Sequence, residues 1–364
     1  MRIGIYAPNL RTSAPTGVER VTEELVRALA ALGTDHEFVL FSDAADLAAG
    51  PRWRHVPVPS MGWLRRLRYD HRRLSRAAAE ERLDLLHCTK SFVPDGLRCP
   101  AVVTVYDVIF LKHPEFYPWW WRGYWRRALE RSVERARTVV CISETTARDL
   151  ENEMPAARGK TVAVPCGVDA RRFAAPGRAP VEGPYYLWVG TVTARKNLDG
   201  LLDALESLDA AAPPLVVAGG VDPHAGDARR LEAAAAAGKV RFLRRVGDDE
   251  LAALYAGATA LVYPSLYEGF GLPVLEAMAA GCPVICSRAG ALPEAAGDAG
   301  LLVEPGDAAS LAEAMRRLAS DPALRRELSE RGRARAAGFS WARTAERTLE
   351  VYERIGRHEA AARA

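Results

Sequence analysis

The sequence predicts an α/β protein with two Rossmann-like domains, each built on a parallel β-sheet. Short apolar runs alternate with longer helical patterns along the chain, which implies parallel strands joined by crossover helices. The 364 residues are too many for one typical core. A Pro-, Gly- and Ala-rich stretch at 176–184 interrupts the alternation, which then restarts. We therefore expect a linker near residues 170–183, and a ligand cleft where the strand ends of the two domains face each other.

The first domain is predicted to contain several strands and an amphipathic helix. Its strands are the apolar runs at 2–7, 36–41, 83–87, 101–105 and 138–142. The helix spans 19–32, because Val21, Leu25, Leu29 and Leu32 recur there at helical spacing.

The second domain repeats this pattern after the linker. Its predicted strands are 185–189, 214–218, 239–243, 260–263, 283–286 and 301–303. A helix is predicted at 198–208, and the last helical pattern, 341–355, can pack on either half. We expect domains at 1–172 and 173–340, and a C-terminal helix at 341–364 that packs back toward the first domain.

Composition and charge narrow the functional classes. The 49% hydrophobic and 26% charged residues are ordinary for a soluble globular protein, and a net charge of +3 gives no argument for a polyanionic partner such as nucleic acid. The start, MRIGIYAPNL, lacks a signal-peptide pattern, and no apolar run reaches the roughly 18–20 residues of a membrane span. The six cysteines include no CxxC pair. We therefore expect a cytoplasmic protein with reduced thiols and no metal site.

The segment YYLWVGTVTARKNLDGL at 185–201 has the pattern of an anion site. A buried strand runs into Gly190, a short polar loop follows, and Asn197 can cap the next helix. A helix N-terminus after a parallel strand commonly binds anions. Arg195 and Lys196 add two cations there, which could offset roughly the two charges of a nucleotide diphosphate. The alternative is a solvated basic pair at a helix start.

The segment YPSLYEGFGLPVLEAMAAG at 263–281 contains two glutamates around a glycine turn. Pro273 suits a first helical turn and Gly281 a C-terminal cap, so a helix is predicted at 272–280. Glu268 precedes the turn and Glu276 lies one turn into the helix, so both can face one cleft. Carboxylates accept hydrogen bonds from sugar or ribose hydroxyls. The alternative is a capping acid and a helix-surface acid, both favoured by the helix dipole.

A set of motifs resembles the retaining GT-B glycosyltransferases of family 4. They are EGFGLPVLE at 268–276, GTVTARKN at 190–197, PCGVDARRF at 165–173, GALPEAAGDAGLLVEPGD at 290–307 and FSWARTAERTLEVYERI at 339–355. The match covers nearly all of the carboxy-terminal half. The resemblance implies a GT-B fold, in which two Rossmann-like domains with parallel sheets face a central cleft, and a nucleotide sugar as donor substrate. It implies no separate cofactor.

The resemblance also implies roles for individual residues. Arg195 and Lys196 would bind the diphosphate, Glu276 the ribose hydroxyls, and Glu268 the transferred sugar. The turn formed by Gly269, Phe270, Gly271 and Leu272 would hold sugar and phosphate through backbone N–H groups.

Further contacts are implied at single positions. Gly190 ends the strand before the phosphate loop, and Val246, in RRVGDDEL, would contact the nucleobase through its backbone. Gly17, in RTSAPTGVERVTEE, would lie against the donor phosphate, where a side chain would clash. A plain loop after the first strand is the alternative for Gly17. Cys166 departs from the asparagine that is common in the family's PNGVD motif.

The segment VVTVYDVIF at 102–110 departs from the family at Tyr106. The family commonly has histidine there, close to the transferred sugar. A tyrosine hydroxyl can donate a hydrogen bond to a sugar, but it cannot carry the charge of an imidazolium. Three interpretations are open: Tyr106 binds the sugar, the enzyme uses a different sugar, or the protein is inactive.

Family resemblance implies retention of the anomeric configuration by front-face displacement. The leaving phosphate would take the acceptor proton, and no metal is expected because no DxD-type motif is present. The expected catalytic residues are Arg195, Lys196, Glu268 and Tyr106. The donor is expected to carry a mannose- or glucose-type hexose. Alternatives are a GT-B epimerase or phosphorylase, and a non-catalytic sugar-nucleotide-binding subunit.

Two stretches, 61–76 and 119–137, are rich in arginine and tryptophan. Aromatic, basic amphipathic helices suit an anionic membrane interface, so peripheral contact with the inner face of a membrane is one expectation. The alternative is that their apolar faces pack on the first sheet while the arginines stay solvated. The acceptor is expected to be a saccharide, a lipid-linked sugar or a small molecule.

Overall fold

The chain folds into two compact units. The computed structural model describes residues 1–11, 17–47, 50–59, 62, 69, 73–174, 177, 179–222 and 227–363. The first unit contains Met1–Gly167 and Trp341–Ala364, and the second contains Val168–Ser340. Each unit has its own parallel sheet, so the predicted α/β class with two parallel-sheet domains is confirmed.

In the described part of the first unit, the sheet has seven parallel strands in the order β3-β2-β1-β4-β5-β6-β7. Their bounds are β1 Arg2–Ala7, β2 Glu37–Ser42, β3 Trp53–Pro57, β4 Leu85–Cys88, β5 Ala101–Val105, β6 Thr138–Cys141 and β7 Thr161–Ala163. The sequence patterns do not predict the edge strands β3 and β7, because their residues are mostly only partly buried and form no continuous apolar run.

Helices cover both faces of this first sheet. They are α1 Gly17–Ala31, α2 Leu74–Glu80, α3 Ile109–Lys112, α4 Trp119–Arg135 and α5 Glu144–Glu153. Ile5 and Leu40 pack with Leu25 of α1 in the core on one face, and Val103 packs with Leu129 of α4 in the core on the other. Burial on both faces explains why the central strands are continuous apolar runs.

The second sheet has six parallel strands among the described residues, in the order β10-β9-β8-β11-β12-β13. Their bounds are β8 Tyr186–Val189, β9 Leu215–Ala218, β10 Val240–Arg244, β11 Ala260–Tyr263, β12 Val284–Ser287 and β13 Leu301–Val303. The chain runs outward from β8 through β9 to β10 and then returns to β11 on the other side of β8. The strand order therefore reverses between β8 and β11, and such a switch point is where ligands bind in open α/β sheets.

The helices of the second unit join these strands. They are α6 Ala170–Ala174, α7 Leu198–Glu206, α8 Asp227–Ala236, α9 Asp248–Gly257, α10 Leu272–Ala280, α11 Leu292–Ala296, α12 Ala308–Ser320 and α13 Pro322–Ala336. Asn197 caps α7 as predicted, since its Oδ1 accepts a hydrogen bond from Gly200 N at 3.3 Å.

The last helix, α14 (Trp341–Arg363), packs in the first unit. Ala345, Val351 and Tyr352 join the core that contains β1 and α1. The Tyr352 hydroxyl lies 2.6 Å from His87 Nδ1, and His87 Nε2 lies 2.7 Å from Thr104 Oγ1. Burial lowers the pKa of His87 to about 3, so the imidazole is neutral in this network. No helix in the described ranges is long and apolar enough to cross a membrane.

Candidate functional site

Two loops meet at the carboxyl edge of the second sheet, where the strand order reverses. One follows β8 and carries Arg195 and Lys196, and the other follows β11 and carries Glu268. Leu266 N donates to Arg195 O at 2.8 Å, and Asn197 Nδ2 donates to Pro264 O at 3.2 Å. These bonds fix the two loops against each other, although their residues are far apart in sequence.

The side chains of these loops form a buried ion-pair cluster. Lys196 Nζ lies 2.6 Å from Glu268 Oε1, and an Arg195 guanidinium nitrogen lies 2.9 Å from the same oxygen. The Tyr263 hydroxyl donates to Glu268 Oε1 at 3.1 Å and also contacts Lys196 Nζ. Glu268 and Lys196 are each only 8% exposed. The sequence predicted these three charged residues for the site, and the structure brings them into direct contact.

The electrostatics of the cluster keep Glu268 ionised. Burial acts to raise the pKa of this carboxyl, but the charges of Lys196 and then Arg195 outweigh burial and lower the pKa to about 2, from its usual 4.5. Burial, followed by the Glu268 charge, raises the pKa of Tyr263 well above its usual value, so this phenol stays protonated. The cluster thus carries two cations and one carboxylate at neutral pH, and can bind an anion beside a hydrogen-bond acceptor.

The glycine turn after Glu268 opens α10. Gly271 is the N-cap with φ of +108°, a conformation that favours glycine. Phe270 is buried, and its ring centroid lies 5.9 Å from that of Phe339. Glu276, on α10, is 6% exposed, and its Oε2 accepts a hydrogen bond from the Tyr255 hydroxyl at 3.1 Å. The two glutamates therefore have different partners: Glu268 faces cations, and Glu276 faces a neutral donor.

The predicted base-binding loop follows β10. Val246 is half-buried, and α9 begins at Asp248 after Gly247. The Asp248 carboxylate pairs with Arg172 of α6. These contacts lie in the same unit as the ion-pair cluster.

Comparison with known proteins identifies the family. The family described as "Glycosyl transferases group 1" matches residues 169–335, and "Glycosyltransferase Family 4" matches residues 15–172. O-antigen chain mannosyltransferase B of Escherichia coli is 31% identical over 93% of this chain and 96% of that protein. The chain belongs to the family 4 glycosyltransferases. The predictions of this family, and of a hexosyltransferase enzyme, are confirmed.

Solved structures of other glycosyltransferases have the same fold. Sucrose-phosphate synthase from Thermosynechococcus elongatus superposes with a TM-score of 0.79 at 24% identity, covering 98% of this chain and 99% of that chain. Anabaena Alr3699/HepE in complex with UDP-glucose gives a TM-score of 0.75 at 18% identity, covering 97% and 99%. The predicted GT-B class is confirmed for this glycosyltransferase.

Two predicted site residues of the glycosyltransferase, Gly17 and Tyr106, belong to the first unit. Gly17 is the exposed first residue of α1, and a Cβ built there meets no atom within 4 Å. The Tyr106 hydroxyl lies 2.9 Å from Thr22 Oγ1. Thr22 Oγ1 itself donates to Val18 O, so the tyrosine is the donor. Burial raises the pKa of Tyr106, which keeps the phenol neutral. Its predicted bond to the donor sugar stays a prediction.

Several residues that support the glycosyltransferase site were not singled out from the sequence. Gly290 has φ of +53°, and a Cβ there would lie 2.3 Å from Glu268 O. Its neighbour Ala291 donates its N–H to the same oxygen at 2.9 Å. Gly290 stands inside a motif quoted for the family, and Tyr263 begins the quoted glutamate segment, so both signals were present in the sequence. Nothing in the sequence pattern pairs Tyr255 with Glu276.

Proposed function

We propose that this enzyme is a retaining glycosyltransferase that moves a hexose from a nucleotide diphosphate sugar to a hydroxyl of the acceptor without a metal ion. The main support is the contact of Arg195 and Lys196 with Glu268 at the switch point of the second sheet. One cluster there offers cations for a diphosphate and a carboxylate for a sugar hydroxyl. The relative named a mannosyltransferase favours mannose, and the neighbour solved with UDP-glucose keeps glucose as the second possibility.

In this proposal the diphosphate binds to Arg195 and Lys196. As the bond to the sugar breaks, the diphosphate gains charge, and the two cations stabilise it more strongly than they stabilise the ground state. Glu268 then exchanges part of its contact with the cations for the hydroxyls of the transferred sugar. Its low pKa keeps it an acceptor throughout the neutral range.

The rest of the donor is bound by neighbouring groups of the same unit. Glu276 accepts from the ribose hydroxyls, and Tyr255 holds its second oxygen. The backbone N–H groups of 269–272 contact sugar and phosphate at the start of α10, where the helix dipole favours negative charge. Gly190 allows the phosphate to approach, and the backbone of Val246 contacts the base.

The chemical step is a front-face displacement. The bond between the anomeric carbon and the diphosphate oxygen breaks, the acceptor oxygen bonds to the same face of that carbon, and the leaving phosphate takes the acceptor proton. The protein contributes position and electrostatics. Gly17 lies against the donor phosphate, and the Tyr106 hydroxyl contacts the transferred sugar.

We propose that the unit 168–340 binds the donor and that the first unit binds a saccharide, lipid-linked or small-molecule acceptor. The enzyme is cytoplasmic in this proposal, and helix α4 supports its contact with an anionic membrane. Trp119 is 80% exposed and Trp120 63%, while Leu129 and Val133 of the same helix are buried. The second half of the helix thus packs in the core, and the first half presents tryptophan and arginine to solvent. Most of the other basic stretch, 61–76, lies outside the described residues.

The test is a donor screen with the purified protein. GDP-mannose, UDP-glucose and UDP-galactose are supplied with and without candidate acceptors, and free nucleoside diphosphate is measured with a divalent metal and, separately, with excess chelator. We expect release from one donor, abolished in Glu268→Gln and retained in Glu304→Gln, which removes a carboxylate from the exposed Arg288–Glu304 pair. Epimerised sugar nucleotide without release would favour an epimerase. Binding without any turnover would favour a non-catalytic subunit, and strict dependence on a divalent metal would contradict the metal-free mechanism.

A further inference from the structure

The ion-pair cluster is short of positive charge for a diphosphate. Arg195 and Lys196 carry two positive charges, and Glu268 neutralises one of them, which leaves a net +1. The diphosphate of a sugar nucleotide carries about two negative charges, and the N-terminus of α10 adds only about half a positive charge. Another cation at the same edge of the sheet would complete the balance.

Arg245 lies at this edge, two strands from the phosphate loop. It follows β10, and the order β10-β9-β8 puts one strand between it and the loop that carries Lys196. Neighbouring strands are about 4.8 Å apart, so the two positions are separated by about 10 Å along the edge. That gap is filled by glycine backbone.

The glycine backbone between the two cations lies close to both side chains. A Cβ built on Gly190 would lie 3.6 Å from Lys196 Cε, and one on Gly219 would lie 1.7 Å from Gly190 O. A Cβ on the next residue, Gly220, would lie 3.5 Å from Arg245 Nε. Lys196 and Arg245 therefore border the same patch of bare backbone, which a phosphate can approach closely because no side chain covers it.

The backbone before Arg245 is irregular in a way that directs this side chain. The register of β10 against β9 shifts between Phe242 and Arg244, which marks a bulge. Arg244 has φ of +56°, an unusual conformation for arginine, and its carbonyl accepts the N–H of Gly219 at 2.7 Å. Bulges beside functional sites commonly redirect a side chain, and a residue held at positive φ costs of order 1 kcal/mol. Here Arg245 lies beside Gly220, and the same built Cβ that is 3.5 Å from Arg245 Nε is 3.9 Å from Thr191 Oγ1, in the phosphate loop.

Arg245 is available to a ligand. Its side chain is exposed, and its guanidinium has no ion-pair partner within the described residues. A guanidinium can hold two phosphate oxygens at once, which suits a diphosphate better than a point charge does.

We propose that Arg245 is a third cation for the donor diphosphate, and that it acts across the glycine patch from Lys196. This assignment rests on the proposed function of the same site. Arg245 offsets the positive charge that Glu268 neutralises in the cluster. Glu268 can then accept hydrogen bonds from the sugar while the diphosphate stays tightly bound.

The test measures three ligands by calorimetry: inorganic pyrophosphate, UDP and GDP. Arg245→Gln should weaken whichever of these the parent binds by the same factor, about tenfold or more, because a charged hydrogen bond is lost and none of the loss depends on the base. The matched control is Arg244→Gln, which removes the same charge one residue away, from a guanidinium that lies 5.3 Å above the Phe242 ring. The control should stay within about twofold of the parent, because the Arg244 side chain is exposed and lies over the Phe242 ring rather than over the glycine patch. Arg245→Lys should recover part of the affinity.

Each other outcome overturns the assignment. If nucleotides weaken and pyrophosphate does not, Arg245 contacts the base. If Arg245→Gln behaves like Arg244→Gln, the Arg245 side chain contributes only to the overall electrostatic potential and does not contact the phosphates. If the parent binds no nucleoside diphosphate, the proposed function fails and this assignment fails with it; binding that Arg245→Gln leaves unchanged removes the assignment alone.

Discussion

Replacing Glu268 by glutamine is expected to tighten the binding of a free nucleoside diphosphate. In the unliganded protein the carboxylate lies 2.6 Å from Lys196 Nζ and 2.9 Å from an Arg195 nitrogen, so a diphosphate must compete with it for both cations. Glutamine keeps the shape and removes the charge. Without that charge, Lys196 and Arg195 attract an added anion more strongly.

The magnitude follows from the contacts that are lost. A charge-assisted hydrogen bond contributes about 1.5–3 kcal/mol, so releasing the cations from Glu268 should raise the affinity for UDP or GDP about tenfold. The same change leaves two poorly compensated cations in the unliganded protein. Breaking a buried pair costs about 3–5 kcal/mol, and the 30% exposure of the Arg195 side chain puts the expected loss of stability near 3 kcal/mol. Turnover of the sugar nucleotide should be abolished, because the sugar loses the carboxylate that accepts its hydroxyls.

The assay combines calorimetry with the nucleoside diphosphate, thermal denaturation and steady-state kinetics. Glu276→Gln is the comparison: it should weaken nucleoside diphosphate binding, since its predicted partner is the ribose. Two results would refute the reasoning. Unchanged affinity in Glu268→Gln means that the carboxylate does not compete with the diphosphate. Equal weakening in both variants means that the two glutamates do not divide the donor as proposed.

Three further predictions concern other parts of the molecule. Lowering the pH should remove the stability that ionised Glu268 contributes. The pKa of this carboxyl is about 2 in the folded protein and 4.5 when unperturbed, so its contribution is full above about pH 4.5 and is lost as the pH falls toward 2. A Glu268→Gln variant whose melting temperature falls as steeply in this range as the parent's would contradict this prediction. Tyr106→Phe should lower kcat/KM about 2- to 10-fold, since a neutral hydrogen bond contributes roughly 0.5–1.5 kcal/mol. A drop in melting temperature with kcat/KM within about twofold of the parent would mean that the hydroxyl bonds only to Thr22. Replacing Trp119 and Trp120 by serine should reduce sedimentation with anionic liposomes at low salt without changing the melting temperature, and equal sedimentation of variant and parent would count against a membrane face.

The sequence predicts the central strands well, because strands buried on both faces are continuous apolar runs that need no knowledge of their neighbours. The edge strands escape prediction, since the residues of Trp53–Pro57 and Thr161–Ala163 are mostly only partly buried. The motifs GTVTARKN and EGFGLPVLE also identify Lys196 and Glu268. Their direct contact is not predictable in the same way, because it depends on β8 and β11 being neighbours in the sheet, which is a property of strand order.

Helix α4 shows the same distinction between pattern and placement. Helical spacing puts Trp121, Trp125, Leu129 and Val133 on one face. In the structure the two aliphatic residues are buried, whereas Trp125 is 37% exposed. Periodicity defines a face, but how far along that face the core extends depends on the neighbouring elements. The packing alternative therefore holds for the second half of the helix and leaves the first half open to a partner.

The position of α14 makes the second unit an insertion within the first. The chain leaves the first unit after Gly167 and re-enters it at Trp341. During synthesis the second unit can therefore complete its own core while the first unit still lacks Tyr352, the partner of His87. A nascent chain would expose part of the apolar surface around Ile5 and Leu25 until its last helix emerges. A truncation that removes Ile355 and Tyr352 would consequently damage the amino-terminal unit first. A split of this enzyme into two independent pieces would have to keep that last helix with the residues at the start.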